Sequence, residues 1–394
     1  MATARKWYHN CLAQHDCSAA NAPGLAIFKE DRPARLIQIT LPTSTRPFPT
    51  LKLVKTPPQP SEELRYAALT YCWGQSQNFD HLLTTANESA RYTEMVLDDL
   101  PKTLQDAVLM CTILRIQFLW IGSLCILQDI DDDWQREAPK MGGIYANAAI
   151  TISADHAGQA SEGCFNQQSR DNLEKLDESA AVETLYVSPF NIGTGITIPA
   201  IDNAVLATRG WTYQERILSS RILHYTKDQL YWECRECILA EDGMTDWQPD
   251  KIRPLPGLLK YYMRSHPEGR PWEKVLASLG DLGATITSVE EQAVKVIRLN
   301  ELWYKEIVAN NYCKRHLTRS SDKLIAVSAI ARAIGSLWSP WGPSYFYGLW
   351  TCRFEEAVLF TRTAAAASPP IVRPPNNDAK HRRPTWTWAG HDFP

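Results

Sequence analysis

The chain has 394 residues, too many for one ordinary core, and its 44% hydrophobic and 22% charged content are those of a globular protein. A net charge of −3 lacks the clustered basic surplus of a nucleic-acid binder, and no apolar run is long enough to span a membrane. No apolar core follows the basic pair Arg5-Lys6, so the N-terminus does not read as a secretory signal and a cytoplasmic location is expected. Ten cysteines are scattered along the chain, and Cys72, Cys111 and Cys125 sit in apolar stretches. They read as reduced core thiols, not as a disulfide framework. Fourteen tryptophans are an unusual load, and several lie beside a glycine or a charge, where an indole can wall a pocket.

Residues 1–60 read as a leader: a short helix around Trp7 to Leu12, one strand from Arg35 to Ile39, then proline-rich linkers ending in Pro57-Pro58-Gln59-Pro60. The first core strand is Tyr66 to Trp73, stopped by Gly74. Leu100-Pro101-Lys102-Thr103 starts a helix with Leu104, Ala107, Val108, Cys111 and Leu114 on one face. A buried strand follows over Phe118 to Ile121. The acids at 131–133 suit the first turn of a second helix carrying Trp134, Ala138, Met141 and Tyr145, which Pro139 and Gly142-Gly143 divide into two pieces. Ala149 to Ser153 is another buried strand, residues 158–207 read as an insertion, and Arg209 to Ser219 as a turn leading into a helix. Two alternating runs, 221–226 and 229–234, form a hairpin about Lys227-Asp228. Beyond 255 the pattern is mostly helical, with helices near 285–310 and 321–337.

Strand, helix, strand, helix, strand predicts an α/β fold with a parallel sheet, whose ligands bind beyond the carboxyl ends of the strands. Gly74, Gly122 and Ser153 stand at or near such ends. Tyr71, Trp73, Trp120 and Ser123 are candidates to line the crevice, although strand aromatics are more often core. Asp129 is a further candidate to reach it, while the acids at 131–133 read as solvated helix caps without the spacing of a calcium loop. Cys125 has no histidine near it in sequence and reads as core. Cys11-x3-His15-x-Cys17 and the distant Cys234-x2-Cys237 together offer zinc ligands, but neither half has a standard finger spacing, so no metal is expected. Dinucleotide-fold, P-loop and zinc-protease motifs are absent.

Several co-linear stretches, YAALTYCWG (66–74), LPKTLQDAV (100–108), FLWIGSLCILQD (118–129), DWQREAPKMGGIYANAAITISA (133–154) and RGWTYQERILSSRIL (209–223), resemble the heterokaryon-incompatibility (HET) domain of filamentous fungi. The resemblance covers roughly 66–234. CLAQHDC ahead of it and PTWTWAG at the end resemble sequence that often surrounds the domain. The family usually carries aspartate where this chain has Gly122.

The resemblance implies a flavodoxin/TIR-like parallel-sheet core, with a leader at 1–60, the HET domain at 61–240 and a mostly helical region at 241–394. Some TIR domains cleave NAD+ with a glutamate in a Trp-Cys-x-x-Glu pattern, and Trp211-Thr-Tyr-Gln-Glu215 keeps that spacing. Trp211 and Glu215 share a helix face. By this analogy Trp211 stacks a nicotinamide, Glu215 stabilises positive charge at the ribose C1, and Arg209 or Arg216 meets phosphate. The alternative fate of Glu215 is a salt bridge to Arg209, Arg216 or Arg221. The implied function is fungal non-self recognition and cell death, with NAD+ as a substrate and no required cofactor. The alternatives are a non-enzymatic module that self-associates or meets an allelic partner, and a stand-alone enzyme of small-molecule metabolism.

Overall fold

The computed structural model describes residues 2–19, 21–22, 24–57, 64–74, 80–165, 198–243, 297, 299–337, 343–352 and 388. The sequence readings of a linker at 57–60 and of a helix near 285–310 fall partly outside these residues. Most of the insertion at 158–207 also lies outside them.

Eight strands make one sheet: β1 (Arg35–Thr40), β2 (Thr50–Lys55), β3 (Ala67–Thr70), β4 (Phe118–Trp120), β5 (Ile150–Ser153), β6 (Arg221–Tyr225), β7 (Leu230–Cys234) and β8 (Ile238–Ala240). Their order is β2-β1-β4-β3-β5-β6-β7-β8. The four central strands β4, β3, β5 and β6 are parallel, and β1–β2 and β7–β8 add antiparallel flanks. The sheet is therefore mixed, not wholly parallel. Its buried strands β3 and β5 show no alternation because both faces are covered.

The sequence explains the helices that join these strands. Pro101 precedes the helix Lys102–Leu114, whose Leu104, Ala107, Val108, Cys111 and Leu114 are all buried. It ends with Arg115 in the left-handed conformation, a helix stop that shares the carbonyls of the last turn. The second crossover is divided as Pro139 and Gly142-Gly143 suggest, into Asp131–Glu137, a 3-10 turn Ala138–Lys140, and Met141–Asn147. From β3 the chain crosses to β4 on one side, then returns past β3 to β5 on the other. With right-handed connections this reversal puts the two crossovers on opposite faces and opens a crevice at the carboxyl ends of β3 and β5.

Two hydrophobic cores result. The larger surrounds the sheet and includes Trp7, Tyr8 and Cys11 of the N-terminal helix Ala2–Gln14. The second gathers Leu25 and Phe28, the buried face of the helix Gly210–Leu218, a π-helical segment Leu302–Asn311 and the helix Ile325–Gly335. A side chain at Gly142 would begin 2.1 Å from the Ala329 Cβ and 2.9 Å from Leu218 Cδ1, so a residue without Cβ is what lets three helices meet there. The C-terminal helical stretch thus packs directly on the helix that carries Glu215.

Candidate functional site

The helix Gly210–Leu218 starts after an extended Arg209, whose carbonyl and that of Leu206 both accept from the Thr212 hydroxyl. Its buried residues include Tyr213, Ile217 and Leu218, which face the second core, and Glu215, which points the other way. Glu215 is only 6% exposed. Its Oε2 accepts a short hydrogen bond from the hydroxyl of Thr70, the last residue of β3. The Tyr145 hydroxyl, which donates to the Leu69 carbonyl at 3.0 Å, also lies within hydrogen-bonding reach of the Glu215 carboxyl. Burial pushes the Glu215 pKa up, and the Thr70 hydroxyl, the Arg209 charge and Tyr145 only partly oppose it. No ion pair to Glu215 forms among the described residues. The salt bridge that sequence reasoning weighed against a functional role is not made: Arg216 turns to Asp202 and Glu233, and Arg221 to the Cys11 sulfur.

Around this acid the chain gathers polar groups from the ends of β3 and β4 and from Arg209. The Tyr71 hydroxyl lies 2.7 Å from Ser123 Oγ, which is fully buried. Arg209 reaches the thiol of Cys72 and draws on the pKa values of Cys72, Tyr71 and Glu215. Trp120 is buried with its ring edge-on to Tyr145 at 5.4 Å. Its Nε1 has no acceptor among the described residues, and neither does Gln214 Oε1 have a donor. Buried polar atoms left open beside a hydroxyl-lined acid are characteristic of a place where a polar ligand or water is received.

Gly122 opens the four-residue helical turn Gly122–Cys125. A Cβ built there meets only the Trp120 ring, at 3.5 Å, so position 122 has room for a side chain beside the site. Gly74 has a different reason to be glycine: its φ is +97°, and a Cβ would lie 2.7 Å from that of Gln159. Trp73 packs, partly buried, against the main core.

Three of the residues assigned from sequence stand elsewhere. Trp211 donates its Nε1 hydrogen to Asp322 at 3.1 Å and meets Trp134 edge-on at 6.4 Å, joining the second core. The four-residue spacing put it on the face of Glu215, but the apolar surface of the C-terminal region claims the indole. Arg216 donates to Asp202 Oδ1 at 2.8 Å and to Glu233 Oε2 at 2.9 Å, so its charge is already neutralised. Asp129 is exposed and accepts from the backbone N–H and hydroxyl of Thr85, which lower its pKa; it ties two loops together outside the cluster. Of the acids at 131–133, Asp133 is not solvated. It is buried in a two-point ion pair with Arg35, at 2.9 and 3.2 Å. Cys125 is fully buried, and burial pushes its thiol up to about 12.

Sequence reasoning missed Thr70 and Tyr145, and it missed a buried charged network next to Glu215. His224 of β6 is flanked by Asp155 Oδ2 at 3.0 Å from Nδ1 and by Glu233 Oε2 at 2.9 Å from Nε2. Each ring nitrogen faces a carboxylate oxygen, and although burial opposes a charge on the ring, the two acids raise the His224 pKa. Burial likewise disfavours ionised Glu233, but Arg216 and His224 hold its pKa at about 2. The hairpin register was the available signal: Glu233 pairs with Ile222, two residues from His224, so the two side chains share one face of β6 and β7.

A separate cluster, Cys11, His15, Cys17 and Cys234, lies at the opposite end of the sheet, where β6 begins and β7 ends. No helix among the described residues is long and apolar enough to cross a membrane. No curated protein and no solved structure gives a significant match to this chain. A family model does: the one described as Heterokaryon incompatibility protein (HET) matches residues 66–215, from the residue before β3 to the buried glutamate itself. The chain carries a HET domain, and the carboxyl-edge cluster is built within it.

Proposed function

We propose that this HET-domain protein binds a dinucleotide such as NAD+ at the carboxyl ends of β3, β4 and β5, and hydrolyses its nicotinamide–ribose bond. One observation carries the reading: Glu215 is buried at the strand-order reversal, held by hydroxyls and without a counter-ion among the described residues. Burial raises the pKa of an acid in that state, and a cationic ring entering beside it favours the carboxylate. The 2-1-3-4 order of the parallel strands supports a flavodoxin/TIR-like ancestry, since ligands of such sheets sit at this reversal.

In the proposed reaction the bond from ribose C1 to the nicotinamide nitrogen breaks, and its electron pair neutralises the ring. Positive charge develops at C1, where the Glu215 carboxylate stabilises it. Water adds to C1, loses a proton, and leaves ADP-ribose and nicotinamide. Thr70 fixes one carboxylate oxygen, and Arg209, the cation that acts on Glu215 and Cys72, meets phosphate. Aromatic contact comes from Tyr71 and Tyr145 in place of Trp211. Within fungal non-self recognition, such turnover would couple encounter with a foreign partner to cell death.

The test is release of free nicotinamide from NAD+ by the purified chain. Glu215→Gln keeps the shape and removes the charge; the expected loss is at least about 100-fold. Equal turnover by both proteins, or no turnover and no NAD+ binding by the unaltered chain, overturns the reading.

A further inference from the structure

We propose that Cys11, His15, Cys17 and Cys234 form a closed, structural zinc site that fastens the N-terminal helix to the sheet. The ligand atoms of these four residues all lie within 4.8 Å of one another, although Cys234 is more than two hundred residues from the rest. Cys11 Sγ and Cys17 Sγ are 3.7 Å apart, and Cys234 Sγ is 3.5 Å from His15 Nδ1. A tetrahedral ion with metal–sulfur bonds of about 2.3 Å and a metal–nitrogen bond of about 2.0 Å requires sulfur–sulfur edges of about 3.8 Å and sulfur–nitrogen edges of about 3.5 Å. These two separations match those edges. They are far longer than a disulfide bond, and all these cysteines are free.

The sequence hides the site because the first three ligands straddle a helix end. Cys11 is in the last turn of Ala2–Gln14, His15 follows directly, and Cys17 is two residues on. Cys234 closes the set from the last position of β7, a strand the N-terminal helix packs against through the Tyr8 and Trp232 rings at 6.4 Å. Three of the ligands are buried and His15 is half-buried, which leaves no open coordination position for chemistry. Three thiolates and one zinc ion carry a net single negative charge. Arg221 Nε donates to Cys11 Sγ at 3.2 Å, and the buried Arg235 donates to the Ser18 carbonyl just after Cys17, so positive charge stands on two sides of the cluster. Cys237, 3.6 Å from Cys234 and 4.0 Å from His15, flanks the set as a neighbour and not a ligand. On binding, each coordinating thiol gives up its proton to solvent and the ion takes the four lone pairs; no redox step is involved.

The experiment is metal analysis of the full-length chain purified under reducing conditions from zinc-supplemented culture, with X-ray absorption at the zinc edge. One zinc per chain is expected, with three sulfurs and one nitrogen. Cys11→Ser and Cys234→Ser should each weaken zinc binding at least tenfold, while Cys237→Ser and Cys313→Ser keep full occupancy. If the first two variants do not fold, cobalt added to the chelator-stripped unaltered chain should give the thiolate charge-transfer and tetrahedral d–d bands of a three-sulfur site. Substoichiometric metal, full occupancy in both ligand variants, cobalt spectra of an oxygen-liganded octahedral ion, or a Cys11–Cys17 or Cys234–Cys237 disulfide in the purified protein would each overturn the proposal.

Discussion

Glu215 and Glu233 are both buried, at 6% and 1% exposure, yet their surroundings shift their pKa values in opposite directions. Glu215 faces hydroxyls: Thr70 donates to it, Tyr145 is within reach, and the nearest cation acts on it only at a distance. Desolvation prevails and the carboxyl pKa is raised. Glu233 faces the Arg216 guanidinium and the His224 ring at 2.9 Å each, and the same desolvation is overcome. Burial alone therefore does not say which carboxylate is structural. The one whose charge is already matched by Arg216 and His224 has no charge to offer, and the one whose charge is unmatched can serve a cationic ligand.

The contrast is broken most severely by removing the matched acid. Glu233→Gln leaves Arg216 and His224 facing a neutral group, and a loss of about 3–5 kcal/mol is expected from urea unfolding. The pH dependence follows with it. The folded pKa of Glu233, about 2, lies below the ordinary value of 4.5, so its stabilisation is complete above that ordinary value and is lost as pH falls through about 2. Acid unfolding of the unaltered chain should be steeper over this interval than that of the variant.

Glu215 has the reverse sign. Its folded pKa is raised, so the folded state holds this proton more tightly than the unfolded chain, and the benefit is greatest below 4.5 and shrinks as pH climbs through the folded value. Glu215→Gln should therefore unfold at a higher temperature than the unaltered chain in mildly alkaline buffer, even as the proposed NAD+ hydrolysis is lost. Thr70→Val removes the hydroxyl that lowers the Glu215 pKa; about 1 kcal/mol of stability should go, and the pKa should rise further. The smallest effect belongs to Gly122→Asp. Its Cβ has open space beside Trp120, so stability should change by no more than about 0.5 kcal/mol, and the change in Glu215 titration reports whether a second acid at this edge couples to the first.

Much of the architecture was legible because local chemistry and global fold agree. Pro101 sets a helix start, Pro139 with Gly142-Gly143 divides a helix, and the alternation about Lys227-Asp228 makes β6 and β7. The antiparallel flank was not legible: β1 pairs with β4 across about eighty residues, and nothing in either strand's pattern names its neighbour. The site divides the same way. Glu215 was found through a motif, and Tyr71 and Ser123 through their places at strand ends, where they do meet. Trp211 was misplaced because helix periodicity predicts a shared face but not which core will cover an indole. Asp133 with Arg35 and His224 with Asp155 are partners far apart in sequence, and only the folded chain brings their charges together.

The protonation of the two glutamates can be read directly by carbon-13 NMR titration of chain labelled at glutamate side-chain carboxyls, with Glu215→Gln and Glu233→Gln assigning the signals. The predicted result is one carboxyl that stays protonated above the ordinary glutamate range and one that stays ionised down to about pH 2. Glu215 titrating at or below the ordinary value would mean that its charge is already matched, and the carboxyl edge would lose its claim to a cationic ligand.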